Sequence, residues 1–210
     1  MLFNSLQFLI FFPVVTALYF ASPQRFRRLL LPGMSLVFYA WWQPAYLLVL
    51  LACIGAAYIG ARGIERSNNG GRTLWLVGAI AVPLGMLLLF KYYNFFAGTF
   101  EKLGRRVDSS FTAPALRLAL PVGISFYTFK AVSYLADVYK GKQKAERSLG
   151  AVATYISFFP QILAGPIERA GNFLPHLNVK HRPDWNRITD GLALMLWGLF
   201  KKAVIADNLA

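Results

Sequence analysis

Residues 29–61, LLLPGMSLVFYAWWQPAYLLVLLACIGAAYIGA, contain no Lys, Arg, Asp or Glu. As a single helix they would reach about 50 Å, well past the ~30 Å hydrocarbon core of a bilayer, so the chain must fold back inside them. The break is legible at Trp41-Trp42-Gln43-Pro44. Pro44 cannot continue a helix, and paired indoles favour the headgroup level, so a short turn at one interface separates 29–42 from 45–61. Both arms are short for a span. Tilt, or a start nearer Phe26 with Arg27 and Arg28 snorkelling, would lengthen the first.

The same absence of charge recurs over 1–24, 73–90 and 148–167. A soluble core helix needs a polar face, and these stretches have none. The composition agrees: 57% of residues are hydrophobic and only 15% charged. Spans are expected at about 5–22, 27–42, 45–61 and 73–95, then a polar stretch over 100–117, then three less regular apolar segments. The fold class is therefore all-α, a polytopic helical membrane protein with 5–7 transmembrane or re-entrant helices in one membrane domain over 1–210. Within it, 1–100 form peripheral spans and 118–210 begin a core. Small residues at Ala52, Ala56 and Gly60, and again at Ala81 and Gly85, predict close helix approach.

A formal net charge of +13 invites a nucleic-acid partner, but such binding needs the basic groups gathered on one face. Here they sit between apolar segments, as Arg25/Arg27/Arg28, Arg62/Arg66/Arg72 and Lys140/Lys142/Lys144/Arg147. That pattern points to the lipid bilayer as partner and excludes nucleic acid. It puts the three loops in the cytoplasm and the N-terminus outside. Residues 91–117 carry five basic and two acidic side chains, yet alternation puts them outside too. Either an extra apolar dip around 92–100 changes the count, or the rule is broken there. The first segment lacks a basic n-region and a small-x-small cleavage site, and reads as a retained span.

Reading 118–138 as a helix puts Tyr127, Lys130, Ser133 and Asp137 on one stripe. A cation and a carboxylate on an apolar helix should face the protein interior or a wet cavity, and a structural charge pair is preferred for Lys130 with Asp137 over a catalytic one. In the next segment Thr154, Ser157 and Gln161 share a face; Pro160 then removes a helix hydrogen bond, and Gly165-Pro166 breaks the chain before Glu168-Arg169. Broken backbone at membrane depth survives only inside protein or beside a cavity, so this region reads as built around a passage. Glu168 and Arg169 read first as an ion pair or cap at the break, and more sharply as passage lining. The candidate lining set is Tyr127, Lys130, Ser133, Asp137, Ser157, Gln161, Glu168 and Arg169.

Other chemistries find little support. Cys53 is alone, so neither a disulfide nor a thiolate metal site can form. His176 and His181, the two histidines, lie in a polar stretch bounded by Pro175 and Pro183 and read as loop residues without a third metal ligand. Gly55, Gly60 and Gly63 lack the Lys-Ser/Thr ending of a phosphate loop. On physics alone, a transporter or channel and a non-catalytic scaffold of a polysaccharide export complex stay open beside an enzyme.

Four blocks narrow the field: KYYNFF at 91–96, LPVGISFYTFKAVSYLADVYKGK at 120–142, YISFFPQILAGPIERAGNFLPHL at 155–177, and GLFKKAVIADNLA at 198–210. With the opening residues 1–12 and FYAWW at 38–42, they resemble the membrane-bound O-acyltransferases (MBOAT), most of all the bacterial alginate O-acetyltransferase branch. The resemblance implies a larger MBOAT-type ring of helices around a tunnel, whose core begins at 118–210. It implies a cytoplasmic acyl donor such as acetyl-CoA, with no bound cofactor, and an exported polysaccharide acceptor. It also implies periplasmic acetyltransferase partner proteins and a place in the bacterial inner membrane, with the N-terminus periplasmic. Members of the family are longer, and their catalytic histidine lies in a C-terminal half with no match here. The expectation is an N-terminal piece, inactive alone. A histidine suits the role because its near-neutral pKa lets it take a hydroxyl proton and return it.

Overall fold

The computed structural model describes residues 3, 5–41, 44–104, 119–163, 165–179 and 182–209, and among these it contains helices and no strands. The order is α1 (Leu6–Ala21), α2 (Gln24–Ala40), a 3-10 turn (Pro44–Tyr46), α3 (Leu47–Arg66), α4 (Asn69–Gly104), α5 (Ile124–Tyr139), α6 (Leu149–Ser157), α7 (Phe159–Ile162), α8 (Ala170–Asn178) and α9 (Trp185–Phe200). A π-helical turn (Lys201–Ala206) and α10 (Asp207–Leu209) follow. The chain forms two compact units, 28–178 and the pair 1–27 with 179–210.

In the larger unit, α3, α4 and α5 pack on one another, and α6 and α8 lie against α5. The predicted fold-back is present: α2 ends at Ala40 and Pro44 opens the turn that leads into α3. Trp42 and Gln43 lie outside the described residues. Leu50, Cys53, Ile54, Ala57, Ala61 and Ile64 form the buried stripe of α3 at three- and four-residue spacing. Gly60 continues it, and a side chain there would collide with Ala79 of α4 and press on Leu135 of α5. A glycine therefore sets how closely these helices approach.

On α4 the residues turned inward are Ala79, Pro83 and Leu87. The expected small pair, Ala81 and Gly85, is exposed, which corrects the predicted packing face. The missing N–H of Pro83 is tolerated, and the Thr128 hydroxyl reaches the Pro83 carbonyl at 3.4 Å. The helix runs through 92–100 without interruption, so the alternative of an apolar dip there is not realised. Residues 105–118, which carry the rest of that basic stretch, lie outside the described residues.

Two helices are long and apolar enough to cross a membrane, over Pro44–Arg66 and Gly70–Tyr93, and only 39% and 17% of their apolar windows are buried in the protein. A soluble core helix of that hydropathy would be mostly buried. Leu48, Ile59, Leu74, Val77, Leu88 and Phe95 instead point outward, as lipid-facing side chains do. The chain is an all-α membrane protein, as its charge-free runs predict.

In the smaller unit, Ser5 caps α1 by accepting from Phe8 N at 3.3 Å. Helix α2 does start upstream of Phe26, at Gln24, but Arg27 does not snorkel to water. Its guanidinium turns back to donate to the carbonyls of Ser22 (2.9 Å) and Phe20 (3.1 Å) and sits 4.7 Å over the Tyr19 ring. The orphan carbonyls at the end of α1 thus gain a cation, and Arg27 stays 7% exposed. Helix α9 starts at Asp184, whose carboxylate accepts from Asn186 N and Arg187 N, and exposes Leu194, Leu196 and Trp197.

Candidate functional site

The polar interior is organised by the break after α6. Ser157 ends that helix, Phe158 leaves helical geometry, and Phe159 N finds the Ser35 hydroxyl of α2 at 3.3 Å. Beyond α7, residues 165–169 run without regular structure beside α5, since Gln161 meets Lys130 while Arg169 meets Asp137 about two turns further on. At the start of α5, Gly123 adopts φ +75° and lies so close to the Ile162 carbonyl that a Cβ would strike it. Only glycine meets both demands.

Lys130 is the pivot. It is 2% exposed, and its ammonium donates to Gln161 Oε1 at 2.6 Å and to the Tyr155 carbonyl at 3.1 Å. It also stands 5.3 Å from the Tyr155 ring centre and 5.7 Å from that of Phe173. The Gln161 amide passes the link onward, donating through Nε2 to Glu168 Oε2 at 3.3 Å. Tyr155 closes the loop by donating its hydroxyl to the Glu168 carbonyl at 2.9 Å. A buried cation and a carboxylate are thus joined through a neutral amide, which satisfies both charges without direct contact.

No ion pair joins Lys130 to Asp137 among the described residues, which corrects the expected pairing. Asp137 instead meets Arg169 at 3.9 Å, with the Arg169 side chain 66% exposed. Glu168 and Arg169 likewise do not pair with each other. The backbone turns tightly here, with Glu168 N donating to the Pro166 carbonyl at 2.9 Å and the Arg169 carbonyl accepting from the first turn of α8, and Glu168 reaches Gln161 while Arg169 reaches Asp137.

The other members of the predicted set stand apart. Tyr127 is fully buried, with its hydroxyl 3.5 Å from that of Tyr39, at the outer limit of a hydrogen bond. Ser157 donates to Ala153 O at 2.6 Å and Thr154 to Gly150 O at 2.7 Å, so both hydroxyls are absorbed by their own helix. Ser133 is part-buried and joins none of these bonds. His176 lies in the last turn of α8 and not in a loop, and His181 falls outside the described residues. Tyr155 was not singled out from sequence, although it contacts both ends of the network. Its aromatic character inside an apolar helix resembles packing, and only the later turn of 165–169 back toward it makes it a polar partner.

Comparison with known proteins gives the context. Across its full length the chain is 37% identical to proteins named probable alginate O-acetylase AlgI from Azotobacter vinelandii and from Pseudomonas aeruginosa, and it covers 42% and 41% of their lengths. It is 32% identical, again over its full length, to a peptidoglycan O-acetyltransferase of Helicobacter pylori, of which it covers 45%. The chain thus spans somewhat less than half the length of each of these relatives. No family model matches it, and no solved structure does. Over its whole length the chain is thus similar to proteins named as alginate O-acetylases and as a peptidoglycan O-acetyltransferase, in keeping with the membrane-bound O-acyltransferase resemblance that its motifs carry.

Proposed function

We propose that this chain is part of a membrane O-acetyltransferase that passes acetyl groups from a cytoplasmic donor such as acetyl-CoA to an exported polysaccharide, with alginate favoured as acceptor. The observation that carries the reading is the end-to-end identity with proteins named as alginate O-acetylases. On this reading the protein sits in the bacterial inner membrane with its N-terminus periplasmic, and periplasmic acetyltransferase partners receive the acetyl group. The strip Lys130–Gln161–Glu168 holds the irregular 165–169 segment as one wall of the donor passage, and Arg169 lies at the passage surface. Its charge suits the phosphates of a coenzyme donor. Neither His176 nor His181 acts as the catalytic base, and residues 1–210 alone give no turnover.

The test is the acetyl content of the exported polysaccharide, read by NMR, in cells carrying or lacking the gene. Loss of acetylation on deletion, restored by the full-length gene, supports the function; unchanged acetylation refutes it. Acetate on peptidoglycan in place of alginate would move the acceptor to the second class of relative. For the passage, Arg169→Ala in the full-length protein should lower acetylation at normal protein level. Unchanged acetylation at normal level removes Arg169 from the passage. Turnover by residues 1–210 above a blank membrane would refute the claim that they are inactive alone.

A further inference from the structure

One end of the larger unit gathers basic side chains. Tyr58 accepts a hydrogen bond from Arg62 (2.6 Å) and donates to the Arg147 carbonyl (3.0 Å), while Arg72 donates to the Tyr139 carbonyl (2.7 Å). These bonds tie the end of α3, the start of α4 and the 140–148 loop into one basic rim that also carries Arg66, Lys140 and Lys142. Its two carboxylates are turned onto backbone. Glu65 accepts from Ala145 N at 3.1 Å and Glu146 from Ser148 N at 2.9 Å, so neither is paired with a cation of the rim. Among the described residues Arg66 is exposed and has no hydrogen bond or ion pair.

A groove of about 380 Å³ lies between α3 and α4 next to this rim, lined by Ala56, Ile59, Gly60, Trp75, Gly78 and Val82 among others, all apolar. Small residues form its floor, and Trp75 lies across Gly63 at its basic end. Arg66 is seven residues beyond Ile59, two helical turns along the same stripe, and so stands at the mouth. A Cβ on Gly78 would meet nothing within 4 Å, so the floor is open space.

We propose that this groove binds one anionic glycerophospholipid, with an acyl chain along Gly60 and Gly78 and the phosphate at Arg66. Charge complementarity selects the occupant. A wholly apolar slot on a lipid-facing helix pair, ending in an unpaired arginine within a basic rim, matches a hydrocarbon tail joined to a phosphate. A packed protein helix would have to bring a carboxylate to the same spot, and a zwitterionic lipid supplies no net charge.

The full-length protein is reconstituted into vesicles of phosphatidylcholine or phosphatidylglycerol carrying one dibrominated acyl chain, and quenching of the Trp75 fluorescence, isolated by difference with Trp75→Phe, is read against lipid composition. The relative affinity of brominated phosphatidylglycerol over phosphatidylcholine at Trp75 should be about fivefold. Arg66→Ala should bring it near one, and Gly78→Leu, which fills the slot, should lower quenching by both lipids. A wild-type ratio near one overturns the proposal. So does a ratio that survives Gly78→Leu, which would leave only surface attraction, or one abolished by millimolar inorganic phosphate, which would make the ligand a free anion. Arg66 is exposed, so Arg66→Ala carries the test alone should Gly78→Leu not accumulate.

Discussion

Replacing Lys130 with Met keeps the length of the side chain and removes its charge, which isolates the polar network. The change deletes the donors to Gln161 Oε1 (2.6 Å) and Tyr155 O (3.1 Å) and the cation over two rings. It also leaves Glu168, linked through the Gln161 amide, without a compensating charge. Hydrogen bonds between membrane helices average about 0.6 kcal/mol and reach about 1.7. Bonds to charged groups lie near 1.5–3 kcal/mol in general. Two bonds from one buried ammonium place the loss for Lys130→Met at about 2–3 kcal/mol. The diagnostic quantity is the coupling to Glu168. If the carboxylate is held through Gln161, Lys130→Met in a Glu168→Gln background should cost about 1 kcal/mol less than in the wild type. The assay is unfolding of the micelle-solubilised protein by sodium dodecyl sulfate, followed by tryptophan fluorescence, on the four members of the cycle. Additivity within about 0.5 kcal/mol, or a Lys130→Met loss smaller than that, refutes the amide-bridged pair.

Other substitutions test separate steps. Gly60→Val, pressed against Ala79 and Leu135, should cost at least 1–3 kcal/mol and lower the yield of folded protein, while Gly55→Ala, whose added carbon meets nothing, should stay within about 0.5 kcal/mol by the same unfolding titration. Gly123→Ala should lose about 1–2 kcal/mol from its φ of +75° alone, with contact against the Ile162 carbonyl adding to it, seen as a lower melting temperature in detergent. Arg169→Ala and Asp137→Asn should each shift stability by less than about 1 kcal/mol, because the pair is long at 3.9 Å and the Arg169 side chain, 66% exposed, keeps its water while that of Asp137 is 13% exposed. A larger loss would show that the pair braces the 165–169 segment.

What the sequence discloses and what it hides follow from the solvent. Runs without charge fix the existence of α1 to α4 and the turn at Pro44, because an unpaired charge in lipid is costly wherever it points. The same apolar solvent hides the packing faces. Both sides of α4 are apolar, so spacing alone does not tell Ala79–Pro83–Leu87 from Ala81–Gly85, and the wrong pair suggests itself. The stripe on α5 locates Lys130 and Asp137 correctly, and their partners then come from a segment whose path no periodicity describes. Gln161 reaches Lys130 only because the chain breaks at Phe158. The course of Arg27 is hidden for a related reason: an arginine at a helix junction can reach water or the carbonyls behind it, and the end of α1 supplies carbonyls.

Hydrocarbon must be the solvent around α4 for its outward-facing apolar side chains to be stable. A nitroxide placed by cysteine substitution at Val77 or Leu88, both outward-facing, tests this in vesicles; Cys53, fully buried, stays unlabelled. Collision rates with oxygen should exceed those with a water-soluble nickel complex at 77 and 88, and the order should reverse at Lys142. Nickel collisions at Leu88 as frequent as at Lys142 would contradict the membrane placement and every inference drawn from it.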